Sequence, residues 1–412
     1  MNNHLLALTG ATALVGDTME PCHGATVLIQ DGRIAAVGPD VAIPQAARIL
    51  HLPGRTVLPG LIDSHVHLGP PETTRGVRPG LLARSKAVVD WMRFQPGKRR
   101  GFLRHGVTTV CSLGDENDWV HDFRRKSAVA ELVGPRLLIA GPIFTSPGGH
   151  PVATVGARPD ADWVRVPRSP DQAREQVGAL VTGADPVDVV KVVHDRGDPR
   201  RTPLEPLEPA ILQAIVEQAH HHGKKVAAHW GTLEDLAELL AAGVDGLHHL
   251  EPRGPLRGWP PHLLTAMVDS GVTLAPTLAV TDALLDGETA ALLRSRVAEF
   301  HEAGGTLIAA SDSGMPSVHA GSGLIRDIAL LARSGLTARE AVRAATSAPA
   351  QALGTDQIGA VEAGRAADLL VVDGDPLARL DALRAVVMVL REGRIVVDRT
   401  SRKHESHGTQ QP

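Results

Sequence analysis

The sequence predicts an α/β protein: a (β/α)8 TIM barrel with a small β-sandwich domain built from both chain ends. Three observations carry this reading. Strand-like apolar runs recur through the middle of the chain at 56–63, 106–113, 136–141, 187–193, 225–230, 246–250, 273–278 and 307–312. Helical patterns separate them: Ile211, Ile215 and Ala219 recur at helical spacing, as do Leu233, Leu236 and Leu240. Side chains that can bind metal fall at the ends of several strands, where barrels of this kind place their active sites. The rival, an open doubly wound sheet, usually carries a glycine-rich phosphate turn after its first strand. Here that position holds Ser64-His65-Val66-His67.

The outer elements follow from turn chemistry. Residues 25–30 and 33–37 read as a hairpin around Asp31-Gly32, and 385–390 and 394–397 as another around Glu392-Gly393. Neither end is large enough to bury a sheet face alone, so the two are expected to pack together. The expected domains are 1–55 with 358–400 for the sandwich and 56–357 for the barrel, with 401–412 a polar, disordered tail. Thr232 with Asp235, and Thr337 with Glu340, mark two helix starts.

Bulk composition excludes several classes. The chain has 412 residues, 43% hydrophobic and 21% charged, as in ordinary globular proteins. A net charge of -4 offers no basic footprint for nucleic acid, and the absence of Tyr removes stacking platforms. Two cysteines, Cys22 and Cys111, exclude a disulfide framework and read as buried small hydrophobes. No apolar run is long enough to span a membrane. The expectation is a cytoplasmic enzyme for a small-molecule substrate, with a homo-oligomer allowed.

The chemistry lies at the strand ends. His65 and His67, two apart on a strand, share one face and can reach one metal ion. Lys191 lies near the end of the fourth run, His229 ends the fifth, His249 the sixth and Asp312 the eighth. His248 should face away from His249's side. The His220-His221-His222 triplet reads as a solvated helix end. A lone Lys in an apolar barrel strand is costly as an ammonium. As a neutral amine Lys191 can add carbon dioxide, and the carbamate is a carboxylate-like bridge between two divalent metals.

These residues resemble the amidohydrolase superfamily over nearly the whole chain. The stretch from Pro59 to His67 is similar to that family's opening metal motif, Gly106-Val107-Thr108-Thr109-Val110 to its second strand, and Ala363-Gly364-Arg365-Ala366-Ala367-Asp368-Leu369 to its C-terminal signature. Gly134-Pro135-Arg136 and Gly148-Gly149-His150 resemble the third strand and following loop of the prolidase and imidazolonepropionase-related group, which carries a carboxylated lysine. The resemblance implies that His65, His67 and Asp312 hold one metal, that His229 and His249 hold a second, and that carboxylated Lys191 bridges them. Two divalent ions are implied, with zinc first and manganese or another divalent ion as alternatives. The chain departs from the pattern after Lys191, where His194-Asp195-Arg196-Gly197-Asp198 replaces a glycine- and serine-rich stretch.

The reaction expected is hydrolysis of an amide-type, dipeptide or cyclic-amide C–N bond by a metal-bridging hydroxide. Asp312 would be general base and then general acid. His150 would bind the substrate's carbonyl or carboxylate, and His319 would be a further substrate contact. The alternatives are hydrolysis of a lactone, carbonate or organophosphate ester on the same binuclear site, a mononuclear deaminase using Glu251, or an inactive structural homologue. Arg75, Arg158, Arg196, Arg200, Arg201 and Arg253 lie on the expected mouth loops, where they could bind an acidic substrate group.

Overall fold

The computed structural model describes residues 5–69, 96–115, 117–129, 131–198, 202–250 and 258–400. Arg75, Arg200, Arg201, Arg253, Glu251 and the tail 401–412 lie outside the described residues. Strands at both chain ends form one eight-stranded sheet. It comprises Leu5–Val15, Glu20–Gln30, Arg33–Gly38, Arg48–His51, Arg55–Pro59, Leu369–Asp373, Val386–Arg391 and Arg394–Asp398. Arg55–Pro59 joins the ends, pairing parallel with Leu5–Val15 and antiparallel with Leu369–Asp373. The hairpin turns have positive φ at both central residues, 49° and 82° at Asp31-Gly32 and 49° and 71° at Glu392-Gly393. That backbone matches the twist of the flanking strands.

The period of two divides this sheet's side chains between two cores. Leu8, Val27, Ile29, Val57, Leu369, Val371 and Met388 pack with one another. Leu58, Leu370, Val372 and Val389 join the larger core beneath the central strands.

The central strands are all parallel. Leu61–Val66, Val107–Ser112 and Arg136–Ile139 form one sheet. Val164–Arg165, Ile143–Phe144, Val189–His194, Lys225–Trp230, Gly246–His248, Thr273–Ala275 and Thr306–Leu307 form another, in that order. Backbone bonds link the two: Asp188 N–H donates to Ile139 O at 2.8 Å, Ser64 N–H to Ala309 O at 3.3 Å, Asp312 N–H to His65 O at 2.9 Å and His67 N–H to Ser313 O at 2.7 Å. Helices alternate with these strands, among them Pro209–His221, Leu233–Ala242 and Ser322–Arg333. Both expected helix starts are capping boxes, Thr232 with Asp235 and Thr337 with Glu340. Among the described residues no helix is long and apolar enough to cross a membrane.

Several strands differ from their expected bounds. The run 56–63 is two strands, one in each sheet, joined at Gly60. There the Gly60 N–H donates to Asp368 O and the Leu61 N–H to Gly106 O, so hydrogen bonding changes partner sheets at one residue. The expected strand 136–141 breaks after Ile139, at Gly141 (φ 64°) and Pro142, which has no N–H to donate, and resumes at Ile143. The runs expected to end at 250, 278 and 312 leave the ladder early, at His248, Ala275 and Leu307, and the backbone then takes positive φ at His249, Thr277 and Asp312. Cys111 is buried as expected, whereas Cys22 is only partly so.

Gly60 leaves no room for a side chain. A Cβ there would lie 2.1 Å from Thr108 Oγ1. Gly60→Ala is therefore expected to destabilise the protein by about 1–3 kcal/mol through overpacking. Denaturant unfolding at constant slope checks this, and an unchanged midpoint would refute it.

Candidate metal centre

The strand ends bring together side chains that are far apart in sequence. His65 and His67 project from Leu61–Val66 and the residue after it, with ring centroids 5.1 Å apart. Asp312 Oδ1 lies 3.4 Å from His67 Nε2 and 3.9 Å from His65 Nε2. One ligand atom from each of these three residues falls within 4.8 Å of the others, a group able to hold a metal ion. His249 Nδ1 lies 3.8 Å from Asp312 Oδ2. The rings continue in a row: His65 to His249 at 4.8 Å, His249 to His229 at 4.9 Å and His229 to His150 at 5.4 Å. Lys191 is buried in the neighbouring strand Val189–His194, whose ladder runs between Ile143 and Ala227.

Two of these residues sit on strained backbone. His249 has φ 73° and Asp312 φ 54°, in the left-handed region that non-glycine residues seldom enter. The structure around Asp312 holds that geometry. Ser311 donates from both N–H and Oγ to Asp63, at 2.8 and 2.5 Å. Asp327 accepts from the Ala310 and Ala279 N–H groups at 3.0 and 3.1 Å. Burial pushes the carboxyls of Asp63 and Asp327 up to about 7, even though these hydrogen bonds favour the charged form.

Electrostatics prepares the same side chains for a cation. Burial, and then the nearby Lys191, hold His65 and His248 well below the ordinary imidazole range. Burial does the same to His249, with His229 and Lys191 adding to it. These imidazoles are neutral at pH 7, the form whose lone pair binds a metal. Burial also brings Lys191 down to about 7, so its amine is substantially uncharged near neutrality. His65 Nε2 and Lys191 Nζ are buried without a hydrogen-bond partner among the described residues. Buried polar atoms are nearly always paired. A cation among nitrogen and oxygen donors would satisfy His65, and conversion of Lys191 to an anionic donor would satisfy that side chain too. The donor set therefore fits divalent metal ions such as zinc.

Three residues of this neighbourhood escaped the sequence reading. His248 does not turn away as expected: its Nδ1 lies 3.2 Å from His65 Nδ1. The strand ends at His248, and the left-handed turn at His249 breaks the alternation that would have kept the two imidazoles on opposite sides. Thr277 Oγ1 lies 3.1 Å from His249 Nδ1. Asp195 accepts a bond from His229 at 3.1 Å. The adjacent polar letters in His194-Asp195-Arg196 were the only signal of that contact.

The remaining expected residues take these positions. His150 stacks on His229 and shares a bond with Thr154 Oγ1. His319 lines a cavity of about 470 Å³ with Asp282, Arg326, Arg333 and Arg384. Arg158 pairs with Asp160 and Arg196 with Asp235 and Glu238. His220 is not merely solvated, since it bonds Asp245 at 2.8 Å.

A family model described as the amidohydrolase family matches residues 56–396. The chain belongs to the amidohydrolase family. Among its curated relatives, an imidazolonepropionase of Salinispora arenicola is 29% identical, covering 90% of this chain and 91% of the relative. An imidazolonepropionase of Geobacillus sp. is 26% identical, with 96% of each chain covered. A solved Xaa-Pro dipeptidase with bound methionine shares the fold, with TM-score 0.77 and 21% identity over 95% of this chain and 99% of that one. The sequence resemblance to this family is thereby established, and the fold is of the amidohydrolase, TIM-barrel type.

In this amidohydrolase the buried Asp327 makes stability depend on pH. Its folded pKa, about 7, lies above its ordinary value of 3.8. Between those values the folded state holds a proton that the unfolded state has lost, so stability falls as pH rises. Measured on metal-stripped protein, wild type should lose stability relative to Asp327→Asn between about pH 4 and about pH 8. Parallel stability curves for the two proteins would refute this.

Proposed function

We propose that this protein is a metal-dependent hydrolase of a C–N bond, of amide or cyclic-amide type, in a small molecule. The observation that carries this reading is the His65, His67 and Asp312 group, with the buried Lys191 amine in the strand paired to that of His229. The family and the relatives named imidazolonepropionase support it. His65, His67 and Asp312 would hold one ion, His229 and His249 a second, and Lys191 as a carbamate would join them. When bound, two divalent ions would polarise the scissile carbonyl and lower the pKa of a shared water so that it attacks as hydroxide.

The chain's own residues do the rest. Asp312 Oδ1, near both His65 and His67, accepts the attacking water's proton. It then delivers that proton to the leaving nitrogen as the C–N bond breaks, so one carboxylate is base and then acid. His150, stacked on His229, donates a hydrogen bond to the substrate's carbonyl oxygen or carboxylate. His319 contacts the substrate further out.

Two features of architecture belong to the same reading. The bonds between 64–67 and 309–313, with the Asp188 to Ile139 bond, support closure of the two parallel sheets into one eight-strand barrel. The separate core on one face of the terminal sheet supports its folding into a sandwich from 1–55 and 358–400 around the barrel 56–357, except that Thr56 to Pro59 pair within the terminal sheet.

Elemental analysis of protein grown with ample zinc or manganese should find about two equivalents of divalent metal per chain; less than one would refute the two-ion reading. Lys191→Ala should lose metal and activity together, with partial recovery in a short carboxylic acid; activity retained without that acid would exclude the bridge. In a screen of N-acyl amino acids, dipeptides, lactones and phosphotriesters, C–N substrates should turn over best. On the best of them Asp312→Asn should lower kcat by about 10²–10⁴-fold, and faster turnover of lactones or phosphotriesters would overturn the C–N assignment.

A further inference from the structure

The segment His194-Asp195-Arg196-Gly197-Asp198 lies just beyond Lys191 in the chain, and the proposed chemistry assigns it no role. It continues the strand Val189–His194 that carries Lys191. Its side chains alternate in direction, as those of an extended segment do. His194 and Arg196 turn outward onto the helix Leu233–Ala242. His194 Nε2 lies 2.6 Å from Glu238 Oε2, Arg196 Nη2 donates to Glu238 Oε1 at 2.7 Å, and Arg196 Nη1 donates to Asp235 Oδ1 at 2.5 Å. The Arg196 N–H also reaches Asp235 Oδ2 at 3.2 Å. Asp235 is the capping-box residue of that helix, which follows the strand bearing His229. The end of one ligand strand is thus fastened to the element that follows the next.

Asp195, between the two outward residues, points inward. It is fully buried, with Oδ1 accepting from the Gly197 N–H at 2.7 Å and Oδ2 lying 3.1 Å from His229 Nε2. A carboxylate can only accept here, so His229 carries its proton on Nε2. Its lone pair is then on Nδ1, the other side of the ring. On the ring face, the His150 imidazole stacks nearly parallel, 18° off plane. Asp195 thus sets the tautomer of His229, while His150 packs on its ring face.

We propose that Asp195 is a positioning residue that fixes His229 as an Nδ1 ligand, and that the His194 and Arg196 pins hold Asp195 in place to do so. This rests on the reading of His229 as a ligand of the second ion. Carboxylates behind metal-bound histidines raise ligand basicity and fix the ring, and their loss weakens metal binding about 10–100-fold.

The test is zinc titration of metal-stripped protein against a chromophoric chelator. Wild type should take up two equivalents. Asp195→Ala should bind one as tightly as wild type and the other about 10–100-fold more weakly. Arg196→Met removes the pin to Asp235 and Glu238 without touching His229; it should lower the unfolding temperature more than Asp195→Ala does, with a smaller loss of zinc affinity. If Asp195→Ala does not fold, Asp195→Asn carries the test, with the uncharged acceptor weakening the same equivalent by about ten-fold. Two tight equivalents in the Asp195 variants would overturn the positioning role while leaving the two-ion reading intact. Fewer than two in wild type would overturn both. Loss of both equivalents in step with unfolding temperature, in all variants alike, would reduce Asp195 to a structural residue and overturn the proposal.

Discussion

The site depends on the backbone stitch between the segments 64–67 and 309–313. Asp312 N–H donates to His65 O and His67 N–H to Ser313 O, so the chain alternates donors across the seam. Ser311, held by Asp63 through two bonds, locks the register of that seam. A slip of one residue would turn Asp312 away from the mouth, because side chains on neighbouring extended positions point to opposite faces. This pairing brings a carboxylate to two imidazoles nearly 250 positions earlier in the chain. It also sustains the left-handed backbone at Asp312, which would be unfavourable for an isolated segment.

Burial gives the cluster its chemical character. In water His65 and His249 would titrate near neutrality and Lys191 would be a cation. Burial disfavours every charged form, and Lys191 and the neighbouring imidazoles add repulsion at His65 and His249. What results is a set of neutral nitrogen donors facing a carboxylate, an environment that favours a divalent cation over a proton. The positions of these nitrogens are in turn set by partners behind them: His248 for His65, Thr277 for His249 and Asp195 for His229. Such supporting contacts decide which ring nitrogen carries the lone pair, and so which way each imidazole can bind.

Much of this was legible in the sequence, for identifiable reasons. Helix starts are local: a Thr followed three residues on by Asp or Glu satisfies two backbone donors, and Thr232 and Thr337 do so. Hairpin turns are local too, because Asp31-Gly32 and Glu392-Gly393 tolerate positive φ. His65-Val66-His67 was legible because a strand repeats every two residues. Gly60 was not, since its reason for being glycine is the Thr108 side chain on another strand. The approach of His248 to His65 was hidden by the left-handed turn at His249, which no pattern of apolar and polar letters announces.

The sequence by itself determined the strand and helix alternation, the family, and the kinds of side chain at the strand ends, because each follows from local periodicity or a contiguous motif. Only the tertiary structure decided which of these side chains meet, how His229 is oriented and where one sheet hands its strand to the other. Those outcomes depend on hydrogen bonds between residues distant along the chain, such as Asp63 with Ser311 and Asp195 with His229. Their geometry exists only when the fold is assembled.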